Sequence, residues 1–325
     1  MRYILYMMMA ACVVGCGPEA VDPPAPAAPP AEMVTGADRL VADGFSMLAG
    51  KNVGLVTNHS ALVDGRHLAD LMHESDAVNL VALFGPEHGI RGDDVGEIAD
   101  GVDERTGLPA YSLYGDIRTP TAEMLKGIDV LVFDIQDIGP RFYTYITTMG
   151  LTMQAAAEHG LSYVVLDRPN PIGGELVEGF VRDEGMDSFV GLYRIPVTHG
   201  MTVGELAMMA KEEGMIEGIE NLDLQVVKVE NWQRASLWPD YSDDWVKPSP
   251  NIPDFETALI YPGACFFEGT TASEGRGTQH PFILLGAPWA DGAALAADLN
   301  SRTLPGLTFE AATYTPESLP GMSPR

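Results

Sequence analysis

The chain has 325 residues, with 46 acidic against 19 basic side chains and a formal charge of −27 at pH 7. That balance argues against nucleic acid as a partner, which needs clustered Lys and Arg, and against a polybasic membrane contact. Three cysteines, Cys12, Cys16 and Cys265, supply neither a disulfide framework nor a Cys-based zinc site.

The N-terminus reads MRYILYMMMAACVVGC, with Arg2 ahead of an apolar run over residues 3–14. A membrane-spanning helix needs about 20 apolar residues, so this run is too short to span. It has the length of the apolar region of an export signal. The closing Val-Val-Gly-Cys resembles a lipoprotein cleavage box, in which Cys16 is acylated and becomes the new N-terminus. The weaker alternatives are Cys12 as the acceptor, an ordinary cleaved signal, or a buried N-terminal segment. Residues 17–32 (GPEAVDPPAPAAPPAE) have few large apolar side chains, and proline biases them towards extended conformations. They read as a tether, which with residues up to 35 precedes the globular body.

Beyond it, buried strands alternate with helical patterns. Strands are predicted over 52–58 (NVGLVTN), 78–84 (VNLVALF), 129–135 (DVLVFDI), 162–167 (SYVVLD) and 222–229, and helices over 66–74, 142–159 and 202–213. Near-continuous Val/Ile/Leu strands separated by helices predict an α/β fold, with a parallel sheet covered on both faces. From Trp232 to Trp289 the chain is richer in Pro, Gly and aromatics, and a second domain is placed at 257–325 after a first at 36–256.

In open parallel sheets, ligands sit beyond the carboxyl ends of the strands. Four polar loops follow the predicted strands: Thr57-Asn58-His59-Ser60, FGPEHGIRGD (84–93), DIQDIGPRFYTY (134–145) and DRPNPIGG (167–174). None carries the Gly-rich spacing of a dinucleotide site or a P-loop, and the chain has no G-x-S-x-G elbow and no H-E-x-x-H. Carboxylates are the abundant reactive groups: Glu87, Asp134, Asp137, Glu268 and Glu274. Two carboxyl groups, one acid and one base or nucleophile, are the usual equipment of glycoside hydrolysis. Glu87, on the turn after Gly85-Pro86 and beside His88 and Arg91, fits the acid; its bland alternative is an electrostatic cap. Asp134 and Asp137 suit sugar hydroxyls or a base, or simply hold their loop. Arg141, Arg168 and Arg276 suit a carboxylate, or pair with local acids. Tyr143, Tyr145 and Trp289 suit a sugar face, or pack. With Asn58, Asn170 and Asn251 these loops supply the substrate-binding set. Cys265, between Ala264 and Phe266, reads as a structural thiol before a nucleophile.

The strings GPEHGIRG, DIQDIGPRFYTY, DRPNPIGG, THGMTVGELA, PSPNIP and FEGTTASEGRGT, followed by PFILLGAPW, resemble in order the NamZ-like exo-β-N-acetylmuramidases over residues 36–315. The resemblance implies a Rossmann-like N-terminal domain without a nucleotide and a smaller α+β C-terminal domain, with the active site in the cleft between them. It implies removal of terminal β-linked N-acetylmuramic acid from the non-reducing end of peptidoglycan fragments, with no metal or redox cofactor. It makes Glu87 the catalytic acid and carries the second acidic motif onto Glu268 and Glu274. The implied partner is a peptidoglycan-derived sugar, with the membrane met only through the lipid anchor. Thr271 stands where the family usually has Asn, which changes one sugar contact. The segment TYTPESLPGMSPR has no closing strand pattern, so the second domain is expected to be incomplete. A muropeptide-binding lipoprotein without hydrolytic activity is the rival reading. An amidase or esterase is disfavoured by the missing serine elbow and metal spacing.

Overall fold

A computed structural model of the chain describes residues 32–92 and 99–317. The apolar leader, Cys12, Cys16, the Pro/Ala-rich run to residue 31 and Asp93 lie outside the described residues. In chain order the elements of the first part are α1 (Gly36–Ala42), β1 (Asn52–Thr57), β2 (Leu62–Val63), β3 (Arg66–His67), α2 (Leu68–Glu74) and β4 (Asn79–Gly85). Then come β5 (Gly101–Val102), β6 (Pro109–Ser112), β7 (Val130–Asp134), α3 (Tyr145–Glu158), β8 (Ser162–Leu166), α4 (Val203–Glu212) and β9 (Leu224–Val227). Two further helices, α5 (Phe255–Ala264) and α6 (Gly292–Ser301), belong to the C-terminal part.

The main sheet runs β5-β6-β4-β1-β7-β8-β9, parallel throughout except for β5 against β6. Counting only the parallel strands in chain order, this is the doubly wound sequence 3-2-1-4-5-6 of Rossmann-like folds. The strands are apolar on both faces because both faces are covered. Leu131 and Phe133 of β7 point into one core, with Phe84, Val165, Ile146, Met149 and Leu206. Val130 and Val132 point into the other, with Leu55, Leu83, Leu40, Leu68 and Met72. Period-2 side-chain alternation with helices on each side thus produces the continuous hydrophobic runs of the sequence. The C-terminal part joins the first core through Ala258, Tyr261, Ala264 and Phe282.

Helix starts are chemically marked. Thr35 and Asp38 form a reciprocal capping box at α1, and Thr202 and Glu205 form one at α4. Asp167, immediately after β8, accepts from Gly204 N at 2.8 Å and from the Thr202 hydroxyl at 3.0 Å, which locks the end of β8 onto the start of α4. The predicted helix over 142–159 begins only at Tyr145. The preceding residues are instead held in a loop, where Arg141 N donates to Val197 O at 2.7 Å and Tyr143 N to Pro140 O at 3.0 Å. Residues 66–67 pair with β2 before α2 starts, and the strand predicted over 222–229 is reduced to β9.

Candidate active site

Glu87 is presented by a sharp reversal at the end of β4. Gly89 N donates to Pro86 O at 2.9 Å, and His88 and Gly89 both have φ near +71°. A non-glycine residue in this left-handed region is uncommon, so the turn is a constrained one. At Gly85 a side chain would press on Ile90, whose Cγ1 and N lie 3.1 Å from an ideal Cβ. The Glu87 carboxyl meets the start of α3: the Thr144 hydroxyl donates to Glu87 Oε2 at 3.1 Å, and the Thr144 side chain makes no capping bond of its own.

Around this carboxyl lies a cleft of about 130 Å³. Its wall combines Glu87, His88 and the 142–145 run with Ser249, Asn251 and Ile252, and it is closed from the C-terminal part by Tyr261, Arg276 and Phe282. The aromatic rings interlock edge to face: Tyr143 with Tyr145 at 4.9 Å, Phe142 with Tyr261 at 5.5 Å, and Tyr261 with Phe282 at 4.7 Å. The Tyr145 hydroxyl donates to Pro248 O at 2.6 Å, tying α3 to the 248–253 loop. Burial above all pushes the phenols of Tyr143, Tyr145 and Tyr261 above the ordinary tyrosine value. These tyrosines stay neutral at physiological pH, so they serve as hydrogen-bonding and stacking groups rather than as bases.

Arg276 carries positive charge to the cleft. Its Nη1 lies 2.7 Å from Glu268 Oε1 and 3.0 Å from Glu274 Oε1, and its guanidinium sits 4.7 Å from the Phe282 ring centroid. The buried Nε–H of Arg276 has no hydrogen-bond partner among the described residues. Phe282 has φ of +63°, rare for an aromatic residue, and its N–H donates to Glu274 O at 2.6 Å. Cys265 donates to Glu268 Oε1 at 3.5 Å, and burial pushes its thiol up to about 12, which suits a structural thiol and not a nucleophile.

Of the residues singled out in sequence, Glu87, His88, Tyr143, Tyr145, Asn251 and Arg276 line the cleft. Several others are occupied with one another outside that lining. Asp134 and Arg168 form a buried fork, with Nε–Oδ1 at 2.5 Å and Nη2–Oδ2 at 3.0 Å. Arg91 is shared by Asp103 and Asp70. Asp137 accepts from Gly139 N at 2.8 Å and faces His199 Nε2 at 3.1 Å. Arg141 donates to the carbonyls of Ile195 and Phe180, and Asn170 to that of Met201. Asn58 is fully buried and accepts from Ser60 N at 3.0 Å, with its amide against Tyr145. Glu268 and Glu274 adjoin the cleft through Arg276, and Trp289 is 74% exposed. Sequence reasoning missed Phe142, Thr144, Ser249, Ile252, Tyr261 and Phe282. Phe142 and Thr144 lie inside a string already read as a polar loop, and Ser249 and Ile252 inside the PSPNIP string. Tyr261 sits on a helix, and Phe282 follows a turn with no chemical marker.

The model of the N-terminal region of the exo-β-N-acetylmuramidase NamZ matches residues 53–256, and that of its C-terminal region matches 259–323. The peptidoglycan β-N-acetylmuramidase NamZ of Bacillus subtilis (strain 168) is 48% identical over 285 residues, which is 87% of this chain and 68% of the relative. Two crystal structures of DUF1343 family proteins from Bacteroides fragilis NCTC 9343 superpose on it. One has a TM-score of 0.80 and 45% identity, over 86% of this chain and 71% of its own. The other has a TM-score of 0.73 and 36% identity, over 89% and 72%.

Proposed function

The chain belongs to the NamZ exo-β-N-acetylmuramidase family, and we propose that Glu87 is the acid with which it releases terminal β-linked N-acetylmuramic acid from peptidoglycan fragments. It is a glycosidase, hydrolysing an O-glycosyl bond at the non-reducing end. The observation that carries the catalytic assignment is the position of the Glu87 carboxyl. It stands in the aromatic cleft past the end of β4, with Oε2 held by Thr144.

With Oε2 accepting from Thr144, Oε1 carries the acid proton. That proton passes to the glycosidic oxygen as the C1–O bond breaks, and the bonding pair leaves with the oxygen. Positive charge develops on C1 and the ring oxygen. The sugar's own 2-acetamido group or a second carboxylate, Glu268 or Glu274, supports C1 from the opposite face. Water then delivers its oxygen to C1, and its proton goes to Glu87 if configuration is retained or to the second carboxylate if it is inverted. The anomer released first, read by NMR, separates retention from inversion.

Muramic acid differs from glucosamine by a lactyl ether with a carboxylate. Of the four loop arginines only Arg276 lines the cleft, so its guanidinium is the group assigned to that carboxylate. The test is release of 4-nitrophenol from the β-N-acetylmuramide beside the β-N-acetylglucosaminide, for wild type and Glu87→Gln. Release from the muramide alone, lost in the variant, is the expected result. Undiminished turnover by Glu87→Gln would sink the assignment of the acid.

The same reading includes export and anchoring, because intact peptidoglycan lies outside the cytoplasmic membrane. Arg2, the apolar run to residue 14 and Cys16 support an acylated N-terminus facing the periplasm or cell exterior. Metabolic labelling with an alkynyl fatty acid should mark the wild-type chain and not Cys16→Ser.

A further inference from the structure

An aromatic track leads from the cleft to the surface. Phe142 lines the cleft, and its ring meets that of Phe266 edge-on with centroids 5.7 Å apart. Phe266 in turn meets Phe180, again at 5.7 Å. Exposure rises along the track, with Phe266 at 47% and Phe180 at 63%. Two touching phenylalanines that face water forgo much of the free energy their burial would bring.

The fold nevertheless fixes both rings. Arg141, itself 6% exposed, holds Phe180 twice: its guanidinium lies 5.4 Å from the ring centroid, and Nη1 donates to the Phe180 carbonyl at 3.0 Å. A second Nη1 bond, to Ile195 O at 2.5 Å, immobilises the guanidinium. Phe266 lies on the 3-10 turn Cys265–Gly269 directly after α5. The three rings therefore come from three chain segments, yet form one continuous surface that starts inside the cleft.

We propose that Phe266 and Phe180 bind the sugar ring on the leaving-group side of the scissile bond, the N-acetylhexosamine next to the terminal muramic acid. This rests on the muramidase reading of the cleft. The bond that Glu87 protonates joins the sugar in the cleft to the next ring, so that ring emerges at the cleft mouth. A chair pyranose with equatorial substituents presents a face of axial C–H groups. Laid on an aromatic surface, that face leaves water without needing a charged partner. A peptide stem, with its carboxylates and amides, gains less from uncharged rings. Holding the leaving ring also orients the glycosidic oxygen for protonation.

The experiment measures muramic acid release by the full chain from two substrates. One is the β-1,4 disaccharide of N-acetylmuramic acid and N-acetylglucosamine. The other is methyl β-N-acetylmuramide, whose leaving group is too small to reach the track. Phe266→Ala and Phe180→Ala are each expected to lower kcat/KM on the disaccharide roughly five- to tenfold, and to leave the methyl glycoside unchanged. Phe266→Trp, which keeps a stacking surface, should retain disaccharide turnover. Equal losses on both substrates, or none on either, overturn the proposal and leave the muramidase reading intact. A wild-type chain that cleaves neither substrate removes the muramidase reading, and the proposal with it.

Discussion

Replacing Asp134 by Asn should unfold this protein more readily without touching the cleft. Asp134 is fully buried and the Arg168 side chain is 7% exposed. Both carboxylate oxygens face the guanidinium, from Nε and Nη2. Asn keeps the shape but removes the negative charge and turns an NH2 group towards a buried cation. Arginine does not deprotonate in a protein, so the charge stays and lacks its counter-ion. Breaking a buried pair from one side costs about 3–5 kcal/mol. In a chain of this size that lowers Tm by on the order of 10 °C. The assay is urea and thermal unfolding of wild type, Asp134→Asn, and the double variant Asp134→Leu/Arg168→Met. The double variant removes both charges and should regain most of the loss, because a buried pair replaced by apolar groups is often neutral. A single variant within about 1 kcal/mol of wild type, or a double variant no better than the single, would refute the structural role given to this pair.

His67 titrates with a definite sign. Its Nε2–H donates to Asn58 O at 2.9 Å and its Nδ1 accepts from Ala69 N at 3.1 Å, so a second proton has no acceptor; burial first, and Arg91 second, lower its pKa. A lowered folded-state value gives stability that is complete above the unfolded value of about 6.5 and is lost as pH falls. Wild type should therefore show a falling urea midpoint between pH 7.5 and 5.5, and His67→Gln a shallower slope from a lower start. Cys265, with its thiol pushed up to about 12, should react slowly with a disulfide reagent at pH 8 in the native protein and fully in denaturant, with mass spectrometry locating the label. Rapid native labelling of Cys265 would contradict that environment. Gly36→Ala should cost about 3 kcal/mol or more in unfolding free energy, since a Cβ there would lie 2.3 Å from Val227 O and 2.4 Å from Asp167 N, both backbone atoms.

What was legible in the sequence follows from which signals are local. β1, β4, β7 and β8 appear as unbroken apolar runs because each is covered on both faces, and their ends fall within a residue of the predicted ones. β6, reading PAYS, is half-buried and gives no such run, and α5 contains Pro262, which argues locally against a helix. At the site, a charge at a strand end announces a polar loop but does not name its partner. Asp134 and Arg168 are 34 positions apart and find each other only because β7 and β8 are neighbours. Glu87 was identifiable because the Gly-Pro before it and the glycine two positions later mark a tight reversal, whereas Tyr261 carries no local mark that it would face the cleft.

The sheet order raises a further question, because its switch point lies between β1 and β7, where doubly wound proteins hold their ligands. Here the loops at that point bind each other. Asn58 Oδ1 accepts from the Ser60 amide and hydroxyl, Ser60 Oγ accepts from Gln136 N at 3.0 Å, and Gln136 Nε2 donates to Asp137 O and Pro169 O. The turn after β1 thus aims its amides at its own side chains, where a Gly-rich turn would leave them for a phosphate. The described cleft lies one strand over, at the end of β4, where Glu87 meets the start of α3 and the C-terminal part supplies the opposite wall. The cleft assigned above to the sugar therefore still lies beyond the carboxyl end of a parallel strand, as the general rule for such sheets has it.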